Sequence, residues 1–145
     1  SPCLRAVQTP AEICGEIGGE AWLEPGLGEH RNSDWFDSEP ATLSQETLAD
    51  YFDPIRTDHD GFGVPQFPET HAEAEQRAGE TARRIADAHD GSVLMVGHGL
   101  TIGGVVRGLV GSTAGVDAPL CGLTRMNYAG DSWELDFSGK TDHLD

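Results

Sequence analysis

The chain has almost no lysine and no long apolar run. Lys140 is the only lysine among 145 residues, and 25 acidic side chains against 9 basic ones give a formal net charge of −16. Because so acidic a surface repels nucleic acids and anionic membranes, we expect neither as a partner. No apolar stretch approaches the length that crosses a membrane. The sequence also has no positively charged start followed by an apolar run, which favours a cytoplasmic protein.

Cysteine is scarce as well. Cys3, Cys14 and Cys121 have neither an even count nor the spacing of metal ligands, so neither a disulfide framework nor a zinc site is predicted. Reduced thiols in a cytoplasm are the simpler interpretation. The excess of acid and the shortage of lysine lead to a further hypothesis, adaptation to high salt, under which stability would rise with added KCl.

What the chain does have is the order of elements of one α/β domain over residues 1–145. Apolar residues at helical spacing predict a helix over residues 1–17 and another over about 69–89. The brief apolar stretch 21–23 predicts a strand, and alternation over residues 123–137 predicts a two-strand element. This order favours a three-layer α/β/α fold with a mostly parallel sheet.

The stretch at residues 93–99 is the centre of this pattern. Four apolar residues, 93–96, predict a strand buried on both faces, and a helix is predicted behind it. His98 therefore lies at a strand-to-helix turn, where open α/β sheets place their ligands. The unpaired N–H groups that begin the helix favour an anion there. Taken alone, a histidine in this position is more often a hydrogen-bonded structural residue than a catalytic one.

Residues 31–68 are polar and broken by proline and glycine. A segment of this length in a compact domain predicts a lid or insertion, with one short helix at about 43–52. Its side chains are therefore expected to determine what fits the site.

Three motifs in a fixed order resemble those of one family. Residues 1–9 have the sequence SPCLRAVQT, which resembles the Ser-Pro-x-x-Arg-Ala-x-Gln-Thr signature of the histidine phosphatase superfamily, the phosphoglycerate-mutase-like enzymes. Residues 24–29, EPGLGE, resemble that family's acid-bearing segment, and residues 93–99 resemble its second histidine motif. The sequences around residues 133–135 and 142–144 are similar to the family's carboxyl terminus. The resemblance thus covers essentially the whole chain.

The resemblance implies a phosphohistidine mechanism that needs neither metal nor cofactor. Arg5 matches an arginine that holds phosphate, for which a guanidinium is suited because it forms two parallel hydrogen bonds and stays charged. His98 matches the second histidine, which stabilises the transferred phosphoryl group, with the N–H of Gly99 beside it. Glu29 matches the proton donor to the leaving alcohol, a role that needs a pKa raised by burial or by the phosphate itself.

One motif of the family is missing. Its members carry a first strand that ends in Arg-His-Gly and supplies the nucleophilic histidine, and no such triplet occurs here. The nearest sequence, Glu29-His30-Arg31, lies in a polar loop. Because the family's strand precedes the segment with which this chain begins, we expect an N-terminal truncation of at least a strand, a loop and a helix, about 30 residues or more by the size of a βαβ unit. The fragment alone is then expected to be inactive.

The sequence therefore predicts a phosphatase that acts on a small phosphorylated substrate, with its oligomeric state, monomer or homodimer, left open. Two alternatives remain, an inactive phosphate-binding or regulatory member of the same fold and a phosphoglycerate-mutase-type phosphotransferase. The shortness of residues 31–68 favours hydrolysis over transfer, since excluding water usually takes larger lids. An α/β hydrolase is disfavoured because His98 occupies the place of its nucleophilic serine.

Overall fold

The computed structural model describes residues 1–144 and has a mixed α/β architecture. Its helices are α1 (Leu4–Ile17), α2 (Gln45–Tyr51), α3 (His71–Ala88) and α4 (Gly99–Val110). Its strands are β1 (Ala21–Trp22), β2 (Ile55–Arg56), β3 (Leu123–Tyr128) and β4 (Trp133–Lys140), and short 3-10 turns lie at Pro25–Leu27 and Asp142–Leu144. None of the helices within residues 1–144 is long and apolar enough to span a membrane.

The strands form two separate pairs. β1 lies parallel to β2, with Ala21 opposite Ile55, and β3 pairs with β4 in the predicted antiparallel hairpin, with Tyr128 opposite Trp133. The mixed α/β class is therefore confirmed. In place of the mostly parallel sheet that the sequence predicted, residues 1–144 contain one parallel pair and one antiparallel pair.

The stretch 93–96 is not the doubly buried strand that its composition predicted. Over residues 1–144 it belongs to neither sheet, and the side chains of Val93 and Leu94 are 45% and 59% exposed. A parallel strand is buried when neighbouring strands and helices cover it on every side, and the described chain places no paired strand beside this stretch. The main-chain oxygen of Val96 instead accepts a hydrogen bond from the terminal nitrogen of Ser1, at 3.2 Å.

The largest core lies between α3 and α4. α3 begins with a capping box, in which the hydroxyl of Thr70 and the carboxylate of Glu73 each accept a main-chain N–H of the other residue. α3 buries one face, at Ala74, Ala78, Ala82 and Ile85, whereas Ala88 at the end of the helix is exposed. Glycines let the helices approach closely: a Cβ on Gly104 would lie 2.6 Å from the main-chain oxygen of Glu75. This close packing fixes the start of α4.

A second buried cluster joins the first half of the chain, where Val7, Leu23, Leu48 and Ile55 pack together. This cluster packs α1, β1, α2 and β2 against one another. The predicted helix over residues 1–17 begins later, at Leu4, and its N-cap is Cys3, which forms no side-chain cap bond. The hydroxyl of Ser1 is used elsewhere, since it accepts from the N–H of Cys3 and contacts the ring of His98.

Candidate active site

The three predicted site residues meet at one point. Arg5 lies in the first turn of α1, Glu29 follows the turn Pro25–Leu27, and His98 directly precedes α4. Nη2 of Arg5 lies 2.7 Å from Oε2 of Glu29, and Nδ1 of His98 lies 3.1 Å from the same oxygen. Nη2 of Arg5 is also 3.4 Å from Nδ1 of His98. A guanidinium and an imidazole thus converge on one carboxylate oxygen.

His98 is buried, and both of its ring nitrogens have partners. Nε2 lies 2.9 Å from the hydroxyl oxygen of Ser1, while Nδ1 faces Glu29. Burial by itself favours the neutral ring, but the contacts with Cys3 and Glu29 outweigh it and raise the pKa of His98 above its ordinary value. The N–H of Gly99, the first residue of α4, lies next to it in the chain among the helix groups that lack an intrahelical partner. This end of α4 is therefore suited to an anion.

Glu29 is ionised in this arrangement. The hydrogen bond from His98 is the largest cause that lowers the pKa of Glu29 to about 2, and Arg5 and the N–H of His30 act in the same direction against partial burial. A proton donor needs the opposite shift. Arg5 and His98 instead both contact the carboxylate of Glu29, and these contacts favour its ionised form. A phosphate that took over Arg5 and His98 would remove these partners and add negative charge, and both changes raise the pKa of Glu29.

A buried ion pair that the sequence analysis missed holds the main chain before Glu29. Nη1 of Arg77, on α3, donates to the main-chain oxygens of Gly26 and Gly28 at 2.7 and 3.2 Å. Its Nη2 and Nε donate to the carboxylate of Glu69 at 2.6 and 3.0 Å. Glu69 is 7% exposed. The only sign of this pair in the sequence is that Arg77 lies next to the row of alanines, spaced four residues apart, on the buried face of α3.

A second buried carboxylate, that of Glu24, holds the start of the same turn. Glu24 is 5% exposed and accepts the N–H groups of Gly26, Phe62 and Gly63 at 2.8, 2.8 and 3.2 Å. Its Oε2 also lies 2.9 Å from Nε2 of His59. Glu24 therefore ties the turn to the loop at residues 59–63. Glu24 belongs to the EPGLGE motif, but the sequence did not predict that its carboxylate would accept main-chain N–H groups.

His30 belongs to the sequence that is nearest to the missing Arg-His-Gly triplet, but its contacts are those of a residue that supports the fold. Its side chain is buried, and Nε2 donates to the main-chain oxygen of Glu69 at 2.8 Å. The ring packs edge-on against Trp35 and His71, with centroids 5.5 and 6.1 Å away. These contacts anchor the turn that carries Glu29 and leave Nε2 occupied.

A cleft of about 430 Å³ opens beside Arg5 and Glu29. The segment 31–68, predicted to determine what fits the site, supplies much of its wall through residues 36 and 40–43 and through Pro65. A larger hollow of about 710 Å³ lies between residues 91–97 and the hairpin β3–β4, and it is lined by none of the three site residues. The smaller cleft is therefore the one that belongs to the site.

No cluster of three or more histidine, cysteine or carboxylate side chains within residues 1–144 is placed to hold a metal ion. Among known protein families, the model described as the histidine phosphatase superfamily (branch 1) matches residues 1–141. A search of curated proteins found no match.

Proposed function

Since this chain belongs to the histidine phosphatase superfamily, we propose that it binds a small phosphomonoester and serves in its hydrolysis through a phosphohistidine intermediate. One observation carries the proposal: Arg5 and His98 lie 2.7 and 3.1 Å from a single carboxylate oxygen of Glu29. Phosphate oxygens, like carboxylate oxygens, accept charge-assisted hydrogen bonds from arginine and protonated histidine. A site that holds one anion in this way is suited to the other.

In the proposed reaction, Arg5 and His98 exchange the carboxylate of Glu29 for the phosphoryl oxygens. Arg5 is able to follow the ligand because 67% of its side chain is exposed. Charge that grows on the transferred group is stabilised by Arg5, by protonated His98 and by the N–H of Gly99. The nucleophilic histidine forms a bond to phosphorus as the bond to the alcohol oxygen breaks, and Glu29, now protonated, gives its proton to that oxygen. Water then attacks phosphorus as the bond from phosphorus to the histidine nitrogen breaks, and Glu29 takes a proton from that water.

The nucleophile is the part of this proposal that the chain does not supply. Within residues 1–144, His98 is the histidine that contacts both Arg5 and Glu29, and the sequence has no Arg-His-Gly triplet. The nucleophilic histidine of the proposed reaction is therefore one that this chain does not supply. The chain tested by itself is expected to bind phosphate without turnover.

A second candidate is a phosphate-binding or regulatory member of the superfamily that performs no hydrolysis. The missing triplet favours it, as does the low pKa of Glu29, which leaves no proton to donate when the site is empty. The two candidates share the phosphate site and differ only in turnover.

Calorimetric titration with orthophosphate tests the shared site. We expect Arg5→Gln to weaken binding at least tenfold, whereas Arg83→Gln, at an exposed position on α3, leaves it unchanged. Equal binding by both variants, or no binding by the unmodified chain, would contradict the site.

Hydrolysis of p-nitrophenyl phosphate at high KCl then separates the two candidates. The chain is compared with a version extended upstream in its coding sequence. Turnover by the extended version alone, abolished by His98→Ala, supports the phosphatase. Phosphate binding without turnover in both versions supports the regulatory member.

A further inference from the structure

The cleft beside Arg5 and Glu29 has a mostly apolar wall, in which the other polar or charged side chains are those of Cys3, His30, Arg31 and Thr42. We propose that it takes the organic part of a phosphate monoester whose alcohol is apolar, an alkyl or aryl group rather than a sugar or a carboxylate-bearing chain. This inference rests on the function proposed above and names the substrate class for the same site.

The position of the cleft joins the phosphate end to the apolar wall. Arg5 and Glu29 line one part of its volume of about 430 Å³, which is in the size range of small-molecule sites. The apolar wall comes from three separate parts of the chain, with Leu4 on α1, Phe36 and Leu43 on the segment before α2, and Pro65. Leu4 and Leu43 are 48% and 45% exposed, so their apolar surface is available to a ligand.

Two of the polar side chains in the wall, those of Arg31 and His30, already have partners. The side chain of Arg31 is only 15% exposed and its guanidinium forms an ion pair with Glu39, while Nε2 of His30 donates to the main-chain oxygen of Glu69. A second acidic group on the ligand would therefore meet no unpaired cation among these residues, in a chain whose formal net charge is −16. The hydroxyls of a sugar would need several donors and acceptors, and Thr42 contributes a single hydroxyl.

The apolar wall has a measurable consequence for affinity. A phenyl group that covers the exposed parts of Leu4 and Leu43 removes apolar surface from water on both partners. We expect this to tighten binding at least tenfold over a ligand with the phosphoryl group alone, a factor that corresponds to about 1.4 kcal/mol.

Calorimetric titration of the chain with non-hydrolysable phosphonates tests the inference. Methylphosphonate measures the phosphate end alone, benzylphosphonate adds an apolar ring, and phosphonoacetate adds a carboxylate. We expect benzylphosphonate to bind at least tenfold more tightly than methylphosphonate, and phosphonoacetate to bind no more tightly than methylphosphonate. Benzyl alcohol lacks the phosphonate, so its affinity reports the binding of the aromatic ring by itself. It should bind at least tenfold more weakly than benzylphosphonate.

Two glutamine variants locate the effect in the cleft. Leu43→Gln should reduce the ratio of the two affinities, benzylphosphonate over methylphosphonate, to below threefold. Val64→Gln, at a position that is 77% exposed and outside the cleft, should leave that ratio unchanged. Arg5→Gln should weaken both phosphonates, because both need the guanidinium.

The outcomes separate this inference from the proposed function. Equal binding of methylphosphonate and benzylphosphonate, or tighter binding of phosphonoacetate, would overturn the substrate class and leave the phosphate site standing. Benzylphosphonate binding that is unaffected by Arg5→Gln would also overturn it, since the ring would then bind elsewhere. If neither methylphosphonate nor orthophosphate binds, the proposed function fails together with the inference.

Discussion

The segments that carry Glu29 and His98 differ in the interactions that fix their main chains. The turn at residues 24–29 is fixed by buried polar groups, with the carboxylate of Glu24 at its start and the guanidinium of Arg77 on its main-chain oxygens. The stretch 93–97 before His98 is apolar in sequence, yet it belongs to no sheet of residues 1–144, with Val93 and Leu94 exposed and residues 95–97 only half-buried. His98 is nevertheless buried. The position of a site residue thus depends here on its own polar contacts rather than on the regularity of the strand that carries it.

The comparison also orders the expected effects of substitution. Removing one partner from a buried polar network leaves the other desolvated and unpaired, which costs more than the net strength of the lost bonds. Removing an exposed apolar side chain costs little. Changes at the turn should therefore be severe, and changes at the exposed Val93 and Leu94 should be mild.

The largest effect is expected for Arg77→Met. This change leaves the buried carboxylate of Glu69 without its cation, and we expect it to lower the free energy of unfolding by about 3–5 kcal/mol. Urea denaturation followed by circular dichroism measures it. Arg83→Met on the same helix, at an exposed position, is the matched control and should change stability by less than about 0.5 kcal/mol. Equal losses in the two variants would mean that the buried pair does not hold the turn.

Glu24→Gln should have the next largest effect. The amide nitrogen of glutamine cannot accept the N–H groups that the carboxylate accepts, so we expect a loss of about 2 kcal/mol in the free energy of unfolding. Glu12→Gln, on the exposed side of α1, serves as the control in the same denaturation series. A loss no greater than that of the control would show that the 59–63 loop does not depend on Glu24.

The contact between Glu29 and His98 should give stability a pH dependence of smaller size. The pKa of Glu29 is lowered to about 2, so its contribution is present above pH 4.5 and is lost as the pH falls towards 2. The pKa of His98 is raised, so its contribution is present below pH 6.5 and is lost as the pH rises through the folded-state pKa. Both contributions are therefore complete between pH 4.5 and 6.5.

Unfolding measured across this range for the unmodified chain and for Glu29→Gln checks the contact. Because Glu29 is partly solvated, the difference between the two proteins should reach no more than about 1 kcal/mol. It should be largest between pH 4.5 and 6.5. A difference that stays constant from pH 3 to pH 9 would contradict the ion pair.

The smallest effect is expected for Leu94→Ser. Since 59% of this side chain is exposed, the free energy of unfolding should change by less than about 0.5 kcal/mol. Val106→Ala, at a fully buried position on α4, should cost about 2 kcal/mol in the same assay. If Leu94→Ser cost as much as Val106→Ala, the stretch 93–96 would be buried in solution, and the contrast between the two segments would disappear.

The helices and the three site residues were predictable because their signals are local. Apolar spacing placed α3 to within a few residues, and the motifs around Arg5, Glu29 and His98 marked residues that the fold brings within hydrogen-bonding distance. What each of these residues contacts was not predictable from the motifs alone. The low pKa of Glu29, for example, depends on two cations that come from distant parts of the chain.

The remaining differences have a common physical cause. Whether residues 93–96 are buried depends on which backbones lie beside them, and an apolar run does not contain that information. The contacts of Glu69 and Arg77 with the turn join residues up to 51 positions apart, and no periodicity reveals such pairs. The sequence therefore located the site but not the polar network that supports it.

The central claim is that phosphate replaces the carboxylate of Glu29 between Arg5 and His98. The most direct test is a carbon-13 NMR titration of the Glu29 carboxyl group against pH, with and without saturating orthophosphate. We predict a pKa of about 2 without phosphate and a clearly higher pKa with it, since Glu29 then loses both cations and gains an anionic neighbour. A pKa that is the same in both titrations would contradict the claim, because the phosphate would then be bound elsewhere or not at all.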